Sequence, residues 1–329
     1  MPMLNRMKRA VRRSPTLRKV YFRVSGLRHR ARLRVARWRG LRAGGGGPAG
    51  GVNPENVIWI FCTARSGSTW LRSMLDDLTD GEVWEEPKIG RLFGEFYSRA
   101  KQTQLGRVDY VLGDPTREAW TRALRDFVLR TAWASHPSVT PERYLVIKEP
   151  GGAVGAPLLM DALPESRMVL LVRDPRDFAA SVLDATRKDG WIQEGMDEWA
   201  KRDLDSERAE LRYLRALSRQ YSRQIGNGKK AFDSHRGRKV LIRYDDLRAD
   251  TLGVMRHLCA ELEIPVDEQR LARVVSKHSW ENVPESEKGT GKFYRKATSG
   301  GWREDLTPKQ AEIVEEVTAP LIEEFSFRE

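Results

Sequence analysis

The sequence predicts an α/β domain in which a central parallel sheet is flanked by helices. Short apolar segments alternate with helical ones along a chain of 329 residues, 40% of them apolar, which is enough for a large core. The apolar segments are nearly continuous, as is typical of strands that are buried on both faces. We predict four such strands, at 57–63, 144–148, 168–173 and 239–244.

Helices are predicted between and after these strands. The helical segments lie at roughly 68–78, 116–134, 154–162, 175–187, 196–225 and 251–262. A last helix is expected to begin at Pro308, because Thr307 can serve as its N-cap and Gln310 can complete a capping box.

The positive charge of the chain is concentrated in residues 1–43. This segment contains fifteen Lys and Arg and no acid, and since the whole chain carries +12, the remainder carries −3. Its scattered apolar residues predict either a disordered tail or a basic amphipathic helix on an anionic membrane surface. Nucleic-acid binding is less favoured because no nucleic-acid module accompanies the charge, and an organellar transit peptide is a further alternative. Residues 44–52 are a Gly-rich linker, so the folded domain is predicted at 53–329.

Cysteine content and hydropathy indicate the compartment. Cys62 and Cys259 are the only cysteines, which is no disulfide framework and suits a reducing environment. No apolar run approaches the ~18 residues of a membrane span, and the first forty residues are charged throughout, unlike a secretory signal. We therefore expect a cytoplasmic protein whose basic tail can attach it to the membrane periphery.

The first predicted strand ends in a run of small and polar residues, TARSGST at 63–69, before a helix. Free amides and the macrodipole at a helix N-terminus bind anions, and Gly67 allows close approach of the backbone. Ser68 and Thr69 add hydroxyls, and Arg65 adds a planar cation suited to phosphate. A Walker A loop would instead place a lysine after its last glycine. We interpret the run as a phosphate-binding loop; an ordinary strand-to-helix turn is the alternative.

Two further segments carry cations in similar settings. The third predicted strand ends at Arg173, and Ser181 lies two turns into the next helix, so both side chains can converge on one more phosphate. Near the C-terminus, Arg295 and Lys296 lie in a Gly/Ser-rich loop that could close over an anion. Taken alone, this last segment is better explained as a solvated surface loop.

Together the three segments resemble the sulfotransferases that use 3′-phosphoadenosine 5′-phosphosulfate (PAPS). In that family a Lys/Arg-Ser-Gly-Thr/Ser-Thr-Trp loop holds the 5′-phosphosulfate, and an arginine with a serine eight residues later holds the 3′-phosphate. The corresponding residues here are Arg65, Ser66, Gly67, Ser68, Thr69 and Trp70 for the first motif, and Arg173 and Ser181 for the second. The family's C-terminal loop matches residues 295–303, with Ala297 in place of Gly and Gly301 in place of Asp.

The resemblance covers about residues 57–325 and implies a P-loop-NTPase-like sulfotransferase fold with PAPS as the donor substrate. It also implies that Trp70 lies against the adenine, whereas the alternative for Trp70 is a core tryptophan on the apolar face of its helix. The basic tail lies outside the resemblance.

The resemblance also suggests which residues carry the chemistry. Sulfuryl transfer to an alcohol needs a base for the hydroxyl and cations for the leaving bisphosphate. Arg65 and Lys148 are the predicted cations, and Lys148 matches the lysine of the Lys-Thr-His-Leu-Pro segment of cytosolic members. The histidine base of that segment is absent here. We nominate Glu86, because several carbohydrate sulfotransferases carry a Glu-Pro pair at the place of Glu86-Pro87.

Other carboxylates remain candidates for the base. Glu85 and Glu149 are the alternatives, although Glu149 is expected to orient its neighbour Lys148. A salt bridge near a turn is the non-catalytic interpretation of Glu86.

We therefore predict sulfuryl transfer from PAPS to a hydroxyl of a carbohydrate, glycolipid or other small acceptor, without a metal or nucleic acid. The acceptor pocket is expected from 88–115 and 186–235. Trp191 and Trp199 could form aromatic walls there, although packing in the core better explains each of them alone. One alternative is a nucleotide-dependent phosphoryl-transfer enzyme, which the missing Walker lysine disfavours. The other is a nucleotide-fold binding protein docked by its basic tail. Loss of the cations Arg65, Lys148 and Arg173 would favour such a binding protein, yet all three are present.

Overall fold

The computed structural model describes residues 51–186, 204, 206–289 and 298–327. The predicted tail, most of the predicted linker, Trp191, Trp199, Arg295 and Lys296 lie outside these residues.

A five-stranded parallel sheet forms the centre of the domain, in the order β2-β3-β1-β4-β5. The strands are β1 (Val57–Cys62), β2 (Glu82–Glu85), β3 (Leu145–Pro150), β4 (Arg167–Val172) and β5 (Lys239–Arg243). The prediction of a central parallel sheet is confirmed, and the four predicted strands match β1, β3, β4 and β5 to within two residues. Edge strand β2 was not predicted, because it has four residues and two of them are glutamates.

Helices connect the strands and cover both faces of the sheet. In the described residues they are α1 (Ser68–Thr79), α2 (Ile89–Ser98), α3 (Gln102–Leu105), α4 (Arg117–Ser135), α5 (Ala156–Ala162), α6 (Pro175–Thr186), α7 (Glu207–Ser234), α8 (Tyr244–Ala249), α9 (Thr251–Glu261), α10 (Glu268–Lys277), α11 (Trp302–Asp305) and α12 (Pro308–Glu324). Short 3₁₀ helices lie at Pro54–Asn56, Asp114–Thr116, Gly152–Gly155, Trp280–Asn282 and Glu285–Glu287. The predicted capping box of α12 is present.

The long helix predicted at 196–225 differs from the structure at its C-terminal end. Helix α7 continues to Ser234, through Gly226 and Gly228. A Cβ atom at Gly228 would lie 2.8 Å from Leu170 Cδ1 of β4, so this glycine permits the helix to approach the sheet closely. Gly228 therefore serves packing within the helix. Residues 196–203 lie outside the described part of the chain.

Two apolar cores lie on opposite faces of the sheet. Trp59 and Phe61 of β1 belong to the core under α4, α5, α6, α7 and α12, whereas Ile58 and Ile60 belong to the core under α1, α9 and α10. Successive side chains of a strand point to opposite faces, so a strand with all six residues buried must be covered on both sides. Because both faces are covered, polar residues lie at the carboxyl ends of the strands.

No helix in the described residues is both long enough and apolar enough to cross a bilayer.

Candidate active site

The loop between β1 and α1 is shaped by two residues with positive φ. Gly67 has φ 84° at the N-cap of α1, and Arg65 has φ 62°. A Cβ atom at Gly67 would lie 2.6 Å from Cδ2 and Cε2 of Tyr244, so the ring of Tyr244 packs directly against the glycine. Glycine is therefore required here for its conformation and for its missing side chain.

The first turn of α1 offers donors to an anion. No side chain caps this helix, so its leading amides have no side-chain partner, and these are the groups that attract anions. Ser66 is buried and donates its hydroxyl to the Thr63 carbonyl at 2.8 Å, which fixes the turn. Ser68 and Thr69 begin the helix beside it.

Arg65, Arg173 and Ser181 meet next to this loop. Arg65 Nε donates to Ser181 Oγ at 3.1 Å, and Arg173 Nη1 donates to the Arg65 carbonyl at 2.8 Å. The Arg173 guanidinium lies 4.5 Å above the Tyr244 ring centre. Its Nε is buried and has no hydrogen-bond partner in the described part of the chain. The structure thus brings together the two predicted phosphate elements and leaves a buried cationic donor for a ligand.

Lys148 connects the loop to a pair of carboxylates. Its Nζ atom donates to Thr69 Oγ1 at 3.1 Å and lies 3.1 Å from Glu86 Oε1, and it also pairs with Glu85. The lysine side chain is only 4% exposed, whereas both glutamates are 44% exposed. Glu85 also pairs with Arg72 at 3.1 Å. Of the two carboxylates, Glu86 has no other cationic partner in the described residues.

Glu86 is held in an unusual backbone conformation directly after β2. It has φ 50°, and its amide donates to the Lys148 carbonyl at 3.0 Å. A non-glycine residue in the left-handed region is strained by about 1 kcal/mol or more. The hydrogen bond to the Lys148 carbonyl therefore fixes the backbone of Glu86. The ammonium group of the same lysine holds the Glu86 carboxylate.

Glu149 has a different environment from the one expected. It follows Lys148 in β3 and so points to the opposite face of the sheet, where its Oε1 accepts from the Ile89 amide at 2.8 Å. Burial is the largest effect and raises the pKa of this carboxyl to about 7, against hydrogen bonds from the amides at the start of α2. The expected contact with Lys148 is thus replaced by a contact that anchors α2.

Trp70 is half-buried on α1 and does not lie inside the core. Its Nε1 donates to the His278 carbonyl at 2.7 Å, and the Arg248 guanidinium lies 5.7 Å from its ring centre. The indole is therefore fixed at the edge of the core.

Residues 298–302 contact this site. Asp177 of α6 accepts from the Gly300 amide at 2.8 Å and the Trp302 amide at 2.9 Å, and Arg173 Nη2 donates to the Thr298 carbonyl at 3.3 Å. Asp177 is fully buried, and burial raises its pKa. Sequence reasoning did not identify this anchor. Its only signal was the position of Asp177 four residues after Arg173.

Metal ligation has no geometric basis in this region. Within the described ranges, no group of three His, Cys, Asp or Glu side chains could hold an ion.

Comparison with known proteins identifies the family of this chain. Residues 55–326 match the family described as the sulfotransferase domain. The crystal structure of mouse sulfotransferase SULT7A1 complexed with PAP has a TM-score of 0.50 and 15% identity, over 84% of this chain and 87% of that chain. Sulfotransferase STF9 from Mycobacterium avium has a TM-score of 0.52 and 15% identity, over 83% and 78%. No curated protein matches the chain in sequence.

The matched range includes all five strands and every described residue of the site. The chain therefore belongs to the sulfotransferase family, whose enzymes take the sulfuryl group from PAPS.

Proposed function

We propose that this sulfotransferase transfers the sulfuryl group of PAPS to a hydroxyl of a carbohydrate or glycolipid, with Glu86 as the general base. The observation that carries the proposal is the position of Lys148. Its Nζ atom lies 3.1 Å from Thr69 Oγ1 of the anion loop and 3.1 Å from Glu86 Oε1. One cation thus joins the predicted donor site to the predicted base.

The donor would occupy two neighbouring subsites. The amides and hydroxyls at 66–69, with Arg65, suit the 5′-phosphosulfate. Arg173 and Ser181 suit the 3′-phosphate, because the buried Arg173 Nε has no other partner in the described residues. Trp70 is proposed to lie against the adenine, and Arg295 and Lys296 remain predicted donor contacts. The mouse enzyme of the same fold is complexed with PAP, which supports this ligand class.

The reaction would proceed by in-line displacement at sulfur. The acceptor oxygen forms a bond to sulfur while the bond from sulfur to the bridging phosphate oxygen breaks. The hydroxyl proton goes to the Glu86 carboxylate, and the electron pair of the broken bond stays on the leaving bisphosphate. Lys148 and the loop amides would stabilise that charge. The products are a sulfate ester and adenosine 3′,5′-bisphosphate, which is PAP.

The acceptor class is proposed from the surroundings of Glu86. The carboxylate is partly exposed, so a hydroxyl of an acceptor can reach it. Glu86-Pro87 also matches the Glu-Pro pair that several carbohydrate sulfotransferases carry at this place. The predicted contributions of Trp191 and Trp199 lie outside the described residues.

The predicted cytoplasmic location and the attachment of residues 1–43 to a membrane are part of the proposal. Their basis is the sequence, because the segment lies outside the described residues.

Calorimetric binding of PAP and of ATP tests the donor assignment. We expect PAP to bind more tightly than ATP, and Arg173→Ala to weaken PAP binding by at least roughly tenfold, because charge-assisted bonds to a phosphate are lost. Arg173→Lys should recover only part of the affinity, since the lysine lacks the guanidinium fork. The control is Arg256→Ala, which removes an exposed arginine of α9 paired with Glu268. Preference for ATP would favour phosphoryl transfer, and binding of neither ligand would favour a binding protein; both results contradict the proposal.

A further inference from the structure

Exposed apolar side chains are concentrated in one part of the described surface. The large apolar residues with high exposure are Leu92 (60%), Phe96 (51%), Val108 (72%), Val111 (65%) and Phe127 (41%). All of them fall between residues 92 and 127, although the described residues extend from 51 to 327. We call these five residues the apolar face. Concentrated exposure of this kind marks an interaction surface more often than scattered apolar residues do.

Contacts between rings join the parts of the apolar face. Phe96 stacks on Tyr110 with ring centres 6.0 Å apart and an interplanar angle of 12°, and Tyr110 lies between Val108 and Val111 in the chain. Phe93 of α2 packs edge-on against Phe127 of α4 at 5.5 Å. Helix α2, the 106–113 segment and α4 therefore present one surface.

The buried side of α2 explains why its other side is exposed. Gly90 and Gly94 are buried, and Cβ atoms there would lie 2.2 Å from the Gly152 carbonyl oxygen and 2.5 Å from the Gly155 Cα atom. The helix packs through these glycines, so Leu92 and Phe96, one turn apart, project away from the domain. Leu92 and Phe96 are therefore exposed because the opposite side of α2 packs against the domain.

Lys and Arg outnumber acids in the part of the chain that carries Leu92, Phe96, Val108 and Val111, although over the whole range 92–127 they number six against five. Residues 88–111 contain five Lys and Arg but only two acids, Glu95 and Asp109. Arg107 pairs with Asp109, and Glu95 pairs with Arg223 and Arg99. Lys88, Arg91 and Lys101 have no acidic partner in the described part of the chain. Apolar side chains among uncompensated cations are the pattern of segments that lie in the interface of an anionic bilayer.

The positive charge near the apolar face helps to decide whether a second copy of the chain, an apolar acceptor or a lipid bilayer covers it. In a twofold dimer the face of one copy would meet the same face of the other, which would bring like charges together. An acceptor's apolar chain would need a groove, whereas four of the five side chains are more than half exposed. A bilayer containing anionic lipid satisfies the apolar groups and the cations together.

We propose that the apolar face docks on an anionic lipid bilayer and directs the Glu86 cleft toward hydroxyls of membrane lipids. Helix α2 connects the two features along the chain, because it begins at Ile89, three residues after Glu86, and carries Leu92 and Phe96. Leu92 lies only six residues after Glu86. The direction toward a lipid-borne hydroxyl rests on the proposed function, whereas the docking itself does not.

Vesicle sedimentation with the full chain tests the docking. The probe is phosphatidylcholine vesicles with about 30% phosphatidylserine, beside vesicles of phosphatidylcholine alone. We expect Leu92→Ser/Phe96→Ser to weaken binding to the anionic vesicles roughly tenfold, because two apolar side chains no longer enter the interface. Leu92→Met/Phe96→Trp keeps the surface apolar and should bind as the wild type does.

Charge variants separate the face from the basic N-terminal segment. Arg91→Gln/Lys101→Gln should weaken binding, whereas Arg238→Gln/Arg256→Gln, which removes one partly exposed and one exposed arginine elsewhere, should weaken it less. At about 1 M salt the Debye length is near 3 Å, so attraction through residues 1–43 is suppressed and the loss caused by the serine pair should persist.

Two outcomes would overturn the docking proposal. One is equal vesicle binding by the wild type and the serine pair. The other is a change from dimer to monomer caused by the serine pair in light scattering, which would assign the face to a second copy. Binding of PAP, measured on the same samples, should be unchanged by the serine pair. Vesicle binding by a wild type that does not bind PAP would refute the proposed function and leave the docking intact.

Discussion

The Nζ atom of Lys148 in β3 and the Oε1 atom of Glu86, which directly follows the neighbouring strand β2, lie 3.1 Å apart. Lys148 is buried and also binds Thr69 at the start of α1. The position of the carboxylate is therefore coupled to the anion loop. A ligand on the loop that attracts Lys148 would weaken its pairing with Glu86, which would release the carboxylate to accept a proton only when the donor is present.

This relationship predicts a selective effect of Glu86→Gln. The amide cannot accept a proton from the hydroxyl, so we expect the single-turnover rate of sulfuryl transfer from PAPS to fall about 10²- to 10⁴-fold. Binding of PAP should change little, because Glu86 does not belong to the proposed donor subsites. The measurements are a rapid-quench assay with an acceptor that the wild type sulfates and calorimetry with PAP.

Glu85→Gln is the matched control for this prediction. Glu85 is equally exposed and also pairs with Lys148, but it shares its charge with Arg72. A larger rate loss in Glu85→Gln than in Glu86→Gln would assign the base to Glu85 and contradict the prediction.

Gly67→Ala is expected to damage the donor site through two separate effects. A residue with a side chain at φ 84° is strained by about 1–2 kcal/mol, and the new methyl group would overlap the Tyr244 ring at 2.6 Å. We predict that the affinity for PAP falls roughly 100-fold because the loop shifts away from the start of α1. Gly226→Ala is the control, since a Cβ atom there meets nothing within 4 Å.

A double-mutant cycle separates the two effects at Gly67. Tyr244→Leu removes the ring, so Gly67→Ala should weaken PAP binding less in that background than in the wild type. The remaining loss reports backbone strain. If the loss is the same in both backgrounds, the ring overlap does not contribute.

The main strands and the anion loop could be predicted because their signals are local. A buried parallel strand is a continuous apolar run, and the start of an anion-binding helix is a short run of Gly, Ser and Thr. Lys148 and the loop could also be brought together, because parallel strands end at one edge of a sheet. Strand β2 escaped prediction because its four residues, EVWE, lie at an edge and are partly polar.

Other features depend on contacts that a sequence pattern does not contain. Helix α2 was not predicted, because it packs through the buried glycines Gly90 and Gly94 rather than through a run of apolar side chains. Asp177 holds two amides that lie more than 120 residues away. Glu149 was paired with the wrong neighbour, because adjacency in sequence within a strand places two side chains on opposite faces.

Glu149 predicts a specific dependence of stability on pH. Burial raises its pKa to about 7 in the folded chain, whereas the unperturbed value is 4.5. Below pH 4.5 the folded and the unfolded chain both hold the proton, so the group does not change the free energy of unfolding with pH. Between pH 4.5 and 7 the unfolded state loses its proton first, so the free energy of unfolding falls as pH rises. Between pH 5 and 8 the ionisation of this carboxyl should lower the free energy of unfolding by about 2–3 kcal/mol.

Thermal unfolding of the wild type and Glu149→Gln, measured from pH 5 to pH 8, checks this prediction. Glutamine retains an oxygen that can accept from the Ile89 amide, but it cannot ionise. The difference in Tm between the two proteins should therefore move in favour of the variant as pH rises, by roughly 5 °C over this range. Glu118→Gln on the exposed side of α4 is the control. Parallel Tm curves for the wild type and Glu149→Gln would mean that the buried carboxyl does not titrate in this window.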